Sequence, residues 1–366
     1  MKILLIIALT LISIPSQASE SWADWEHFKT TYISPEGRVI DGSSEQLITT
    51  SEGQSYALLF ALVADDRKTF DRLLNWTENN LANNDLTEHL PAWLWGLKKE
   101  TSQYGILDSN SASDSDLWIA YTLAEAGRLW GEYRYQSLSY FMAMRILQEE
   151  AVQVPHYGWM ILPGLRGFQL TDHSWRLNPS YLPIQIFRRF AVLYPHSPWQ
   201  EIAQNSIKFL KQSAPHGFSP EWAIIDNNGL VSADEKDSKV GGYNAIRVYL
   251  WLGMLSNDDP DKQTLMTHFS PMLKTIQTDG YVSEQYDTAM KVQTGYKQLG
   301  FSAAVLPFLS SANDLLRQNE FLKNLEARES SNKPDHYYDS VLTLLGKGWV
   351  EHKYQFNKDG MLSVER

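Results

Sequence analysis

The chain has 366 residues, no cysteine and a formal net charge of −11. The acidic balance leaves no basic stripe for phosphate, so nucleic acid is not an expected partner. Without cysteine, stability must come from a large core rather than from disulfide staples. The aromatic content is more informative, with 13 Trp and 18 Tyr. Amphipathic rings build cores, and they also stack on the apolar faces of sugars while nearby polar groups take the ring hydroxyls.

Met1-Lys2, the apolar run from Ile3 to Ile14 and Pro15-Ser16-Gln17-Ala18 have the layout of a secretory signal, assigned to residues 1–18. The run is too short to span a bilayer, and no stable membrane insertion is expected. Residues 19–366 are expected to form one domain, since no Pro/Ser linker, charge block or low-complexity tract divides them.

In chain order, helical periodicity predicts helices over 53–64, 66–82, 114–130, 136–151, 181–195, 200–213, 243–256, 262–276, 301–315, 318–328 and 336–347. The segment 53–64 is apolar on nearly all sides and should be buried. Ser51 is placed to cap it, and Ser113 or Asp114 to cap the helix over 114–130. Strand signals are short and local, at Val39-Ile40, Gly158–Leu162 and Val350–Phe356. The fold class is therefore all-α, with many helices and long connecting loops. Alternating outer and inner helices would close a toroid, although periodicity alone does not establish a closed barrel.

The nine His residues are scattered without a metal-ligand spacing, so neither a metal nor an organic cofactor is expected. No Gly-x-Ser-x-Gly elbow occurs, which argues against a lipase-type serine. Carboxylates remain. Glu52 stands at the mouth of the apolar helix. Desolvation there favours its protonated form and suits a general acid, while the helix N-terminus favours the charged form. By residue type alone it could equally be a surface group compensating the helix dipole. Asp114 and Asp116 end a polar run from Asp108 and could grip sugar hydroxyls or simply cap a helix. The run lacks the glycine and distal Glu of a calcium loop. Arg247 lies one turn below Tyr243 and could orient a carboxylate or a sugar, or be an ordinary surface group.

Taken together, the segments resemble glycoside hydrolase family 8 over nearly the whole mature chain. The likeness rests on Gly37–Asp41, Thr50–Tyr56, Leu90–Gly96, Asp108–Asp114, Trp175–Tyr181, Gly217–Trp222, Ala245–Tyr249 and Gly300–Ala304. The family signature runs from Ala112 to Trp130. It departs at Ser115, where Ala or Gly is usual, and at Thr122, where Ser or Ala is usual.

The resemblance implies an (α/α)6 barrel with an open cleft and an inverting acid/base mechanism on a β-1,4-glucan. It implies Glu52 as general acid and Asp114 as the residue that binds and distorts the sugar. It places Trp175, Tyr181, Tyr243 and Arg247 along the cleft, with Trp93 and Trp95 as stacking residues that would also fit a core. Within the family the likeness runs to the branch linked with bacterial cellulose synthesis. That implies a periplasmic location, a role on cellulose or nascent glucan, and the cellulose synthase/export complex as a partner.

One departure bears on the chemistry. Family cellulases carry their general base, an Asp, at the position held here by Asn244, and a neutral amide is a very poor base. Three readings follow. Another carboxylate replaces the base, from Asp234, Glu235 and Asp237 or from Asp279, Glu284 and Asp287. Alternatively, Asn244 still positions water, through a polar network or an imidic tautomer. In the third reading, hydrolysis is lost and the chain is a glucan-binding or cellulose-assembly protein. A related activity on xylan or chitosan is a further alternative.

Overall fold

The computed structural model describes residues 22–170, 173–234, 240–290, 292–329 and 336–365. The segment 1–18, Glu235 and Asp237 lie outside the described residues.

The chain is dominated by helices. The first half holds α1 (Ala23–Tyr32), α2 (Ser51–Val63), α3 (Arg67–Leu81), α4 (Ser113–Trp130), α5 (Tyr133–Glu149), α6 (Ile184–Leu193) and α7 (Trp199–Ser213). The second holds α8 (Ile246–Gly253), α9 (Lys262–His268), α10 (Ser270–Asp279), α11 (Leu299–Ala304), α12 (Leu306–Ser311), α13 (Leu315–Glu329) and α14 (Tyr337–Val350). They alternate between an inner and an outer layer. The inner helices touch in succession, α2 on α4, α4 on α6, α8 on α11 and α11 on α14. The 3₁₀ turn Pro179–Tyr181 contacts both α4 and α8. Outside them, α3 covers α2, α5 covers α4, α7 covers α6, α9 covers α8, α13 covers α11 and α1 covers α14.

This layering follows from composition. Every residue of α2 except Glu52 is buried, and α8 is buried along its whole length. Helices apolar all round can sit only in an interior. The outer helices α3 and α7 each have a single apolar stripe facing inward, as at Phe70, Leu73, Leu74 and Trp76 of α3.

Several expected boundaries are corrected. Thr50, not Ser51, caps α2, its hydroxyl accepting from Gly53 N at 3.0 Å. The N-cap of α4 is Ala112, without a side-chain cap, and Asp114 lies inside the helix. The segment expected over 243–256 becomes helical only at Ile246. The segments over 262–276 and 301–315 each divide, at Phe269 and at Val305. Pro271 and Pro307 stand at the start of the second pieces, where a missing N–H and a ring clash would break a continuous helix. The helix α1 was not expected at all.

Short sheets join the helices. The hairpin Leu94–Lys98/Gln103–Asp108 pairs with Thr49-Thr50, directly ahead of Glu52. Trp175–Leu177, Ala223–Ile225 and Val231–Ala233 form a second sheet, and Val240-Gly241, Ser283–Asp287 and Val292–Lys297 a third. None of these three was expected. Gly158–Ile161 and Tyr354–Phe356 do pair, with Ala151–Val154 and Leu362–Val364, whereas Val39 makes only an isolated bridge to Ile33. Among the described residues no helix is long and apolar enough to cross a membrane.

Candidate active site

Three inner helices deliver the charged centre. Glu52 comes from the first turn of α2, Asp114 from the first turn of α4 and Arg247 from the first turn of α8. The α2 and α4 ends are tied together by the Ser51 and Ser115 hydroxyls, 2.6 Å apart. Ser115, one of the two departures from the family signature, therefore carries a bond beside the acid. Gly53 lets α2 approach α14, since a Cβ there would lie 2.3 Å from the Tyr337 hydroxyl.

Arg247 organises the centre. It is only 2% exposed, so it is not a surface residue. Its Nη1 donates to Glu52 Oε2 at 2.5 Å, to Asp114 Oδ2 at 3.1 Å and to the Tyr56 hydroxyl at 3.1 Å. Its Nη2 donates to Asn244 Oδ1 at 2.8 Å and to Ser180 Oγ at 3.3 Å. Burial opposes the guanidinium charge, but Glu52, Tyr56, Tyr338 and Asp114 outweigh it and hold Arg247 charged.

Asp114 is buried, at 3% exposure. Burial, and after it the charge of Glu52, pushes its carboxyl up to about 7, against the pull of Arg247 and the Ser115 N–H. A neighbouring carboxylate charge disfavours ionisation of a buried carboxyl. Tyr56 and Tyr338 are raised chiefly by burial and keep their hydroxyl protons.

Asn244 lies between two partners. Its Nδ2 donates to Glu221 Oε2 at 2.5 Å and its Oδ1 accepts from Arg247. Glu221 also accepts the backbone N–H groups of Gly242, Asn244 and Ala245 at 2.7, 3.0 and 2.9 Å. This carboxylate does the work of an N-cap ahead of α8, which is why Tyr243 and Asn244 stay outside the helix.

The other expected residues scatter around this centre. Tyr181 is half-buried, with the Arg247 guanidinium 5.7 Å from its ring centroid. Tyr243 is 44% exposed, donates to Glu284 Oε1 at 3.2 Å and accepts from Gln298 Nε2 at 2.8 Å. Trp175 is buried within the hydrophobic core. Trp93 is half-buried, and its backbone oxygen accepts from Ser51 N at 3.0 Å. Trp95 stacks on Tyr104 at 5.1 Å, meets the edge of Trp76, and has the Arg38 guanidinium 4.3 Å from its centroid.

The carboxylates considered as replacements for the base are engaged in different ways. Asp234 pairs with Arg176 at 2.5 Å. Asp279 accepts from Gln293 Nε2 at 2.8 Å. Asp287 accepts two N–H groups, of Ala289 and Met290, in its hairpin turn. Glu284 reaches the site through the Tyr243 hydroxyl. Sequence reasoning missed Glu221, Tyr56, Ser180 and Tyr338. Glu221 and Tyr56 stood inside the recognised segments, but nothing local marked either as a partner of Asn244 or Arg247. Trp222, beside Glu221, was also missed. It stacks on Phe168 at 5.9 Å under the Arg176 guanidinium, 4.0 Å away. Among the described residues no group of three or more His, Cys, Asp or Glu side chains is placed to hold a metal ion.

The sequence model of glycosyl hydrolases family 8 matches residues 3–352. The chain belongs to family 8. An endoglucanase of Escherichia coli O157:H7 is 45% identical over 363 residues, covering 98% of this chain and 95% of the relative. One from Xanthomonas axonopodis pv. citri (strain 306) is 42% identical over 352 residues, covering 96% and 91%. The crystal structure of an endo-1,4-D-glucanase from Vibrio fischeri ES114 superposes with a TM-score of 0.90 at 48% identity, covering 94% of this chain and 99% of that one. Its family 8 neighbours are (α/α)6 barrels, and the alternating inner and outer helices described above are that architecture.

Proposed function

We propose that this chain is an endo-β-1,4-glucanase that cleaves cellulose or nascent glucan with inversion. The observation that carries it is the Arg247-centred meeting of Glu52 and Asp114 from three separate inner helices. Glu52 protonates the leaving glycosidic oxygen. Asp114, behind it, binds and helps distort the sugar at the cleavage point. Tyr181, Tyr243 and Trp222 offer aromatic faces along the cleft, with Trp93 and Trp95 as outlying members, while Trp175, buried in the core, offers none. An inverting pair stands about 6.5–9.5 Å apart, leaving room for the attacking water.

The signal-like segment 1–18, followed by one catalytic domain over 19–366, supports a periplasmic enzyme. The resemblance of its motifs to the branch linked with bacterial cellulose synthesis is what supports a place beside the cellulose synthase/export complex. Cellohexaose digestion by wild type and Glu52→Gln tests the activity, with the first-formed anomer read by NMR. Shortening with an α-anomer product, abolished in Glu52→Gln, is the expected result. Failure to shorten the oligosaccharide anywhere from about pH 4 to 8 overturns it, since general acid/base catalysis must operate within that range.

A second reading, a glucan-binding or cellulose-assembly protein, is favoured by one observation. Position 244 carries an amide whose nitrogen and oxygen are both engaged. It predicts oligosaccharide binding without hydrolysis by wild type, and hydrolysis only after Asn244→Asp.

A further inference from the structure

Asn244 is flanked by two groups of fixed hydrogen-bonding sense. A carboxylate only accepts and a guanidinium only donates. With Glu221 Oε2 at 2.5 Å and Arg247 Nη2 at 2.8 Å, the amide has one workable orientation, NH₂ toward Glu221 and C=O toward Arg247. An amide oxygen has two lone pairs, and Arg247 uses one. On Glu221, Oε1 takes three backbone N–H groups, of Gly242, Asn244 and Ala245. Oε2 takes Nδ2 of Asn244 and only a longer contact of 3.1 Å with its backbone N–H. The capacity to receive a proton therefore lies on Oε2, and the proton it faces is on Asn244 Nδ2. Among the described residues, Glu221 is the carboxylate bonded to the Asn244 side chain. Asp234, Asp279 and Asp287 are committed to Arg176, to Gln293 and to a hairpin turn.

We propose that Glu221 is the proton acceptor of this site, working through the Asn244 amide. The proposal rests on the endoglucanase reading above. In the step, the attacking water gives one proton to Asn244 Oδ1 while Nδ2 gives one to Glu221 Oε2. The water oxygen's electron pair forms the bond to the anomeric carbon. The glycosidic C–O bond breaks with its pair on the leaving oxygen, which takes the proton of Glu52. Asn244 is left as the neutral imidic acid and Glu221 as the neutral carboxylic acid. Return of the proton from Glu221 to Nδ2, with loss of the Oδ1 proton to solvent, restores both. Glu221 thus supplies the proton sink that an isolated amide lacks.

The test compares cellohexaose hydrolysis by wild type, Glu221→Ala and Asn244→Ala, each with and without sodium azide. Azide is already an anion and needs no base. Loss of the acceptor should cost each variant roughly 10²–10⁴ in rate, the span of general acid–base catalysis. Azide should restore turnover in both and appear in the product as an α-glycosyl azide. A merely structural role for Glu221, holding the start of α8, would give a loss that azide does not repair. Asn244→Ala leaves the backbone N–H groups around Glu221 in place, so it reads the relay even if Glu221→Ala does not fold. If wild type cuts and Asn244→Ala cuts equally, or if azide restores neither variant, the relay is overturned and the glucanase reading stands. If wild type makes no product, both readings are overturned.

Discussion

Glu52 and Asp114 share one nitrogen, with Arg247 Nη1 lying 2.5 Å from Oε2 of the first and 3.1 Å from Oδ2 of the second. A single cation between two carboxyls leaves room for a proton on the pair, and burial together with the Glu52 charge pushes Asp114 up to about 7. Below that value Asp114 holds a proton; above it the proton leaves. Turnover that draws on this proton should therefore be sustained on the acid side and fall about tenfold per unit as pH rises above about 7. A kcat/KM profile measures it. Asp114→Asn removes this titrating group and should abolish the basic limb near that pH, along with a loss of rate.

Removing Arg247 should damage stability as well as activity. Arg247→Met fills similar space but leaves Glu52 and the buried Asp114 facing each other without a cation. Breaking a buried ion pair from one side costs about 3–5 kcal/mol. Urea titration at neutral pH should show a loss of that order, smaller in acid, where the carboxyls are protonated.

A second carboxyl pair lies behind the site. Asp116 and Glu150 are both fully buried, and Ser111 Oγ donates to Glu150 Oε1 at 2.6 Å. Burial first, then Glu150, Asp114 and Glu149, raises Asp116. Burial, with Asp114 and Glu149, pushes Glu150 up to about 8 against Ser111 and Asp116. The folded chain thus keeps a proton that the unfolded chain releases near the ordinary carboxylate range. By linkage, this stabilisation is fully present in acid and lost as pH rises toward about 8. Glu150→Gln keeps an acceptor for Ser111 and gains a donor toward Asp116. Its thermal stability should fall less than that of wild type between about pH 5 and 8.

Gly346 allows α14 to cross α11 closely, because a Cβ there would lie 1.9 Å from the Ala303 carbonyl oxygen. The obstacle is backbone and cannot swing aside. Gly346→Ala should cost roughly 1–3 kcal/mol, the usual range for overpacking. Calorimetry should show a lowered Tm while activity per folded molecule is retained.

Helices of both layers were legible because their signal is local. The apolar run of α2 and the spacing in α3, α4 and α7 each report a buried face within a few turns. The broken helices at Pro271 and Pro307 were legible in principle, since proline acts on its own turn, but periodicity runs through it. The three unexpected sheets were not. Each pairs short strands, such as Thr49-Thr50 with Leu94-Trp95, whose stability depends on a partner far along the chain rather than on an alternating pattern.

The same division runs through the site. From its own residues the chain determined a helical domain with a carboxylate at the mouth of a buried helix, and its ordered motifs pointed to Glu52 and Asp114. Only the tertiary structure decided what those carboxylates meet. Arg247 is 195 positions from Glu52, and Glu221 is 23 positions from the amide it orients. Proton affinity and hydrogen-bonding sense arise from burial and from neighbours within about 3 Å. No periodicity along the chain encodes those distances, because they exist only once the barrel has closed.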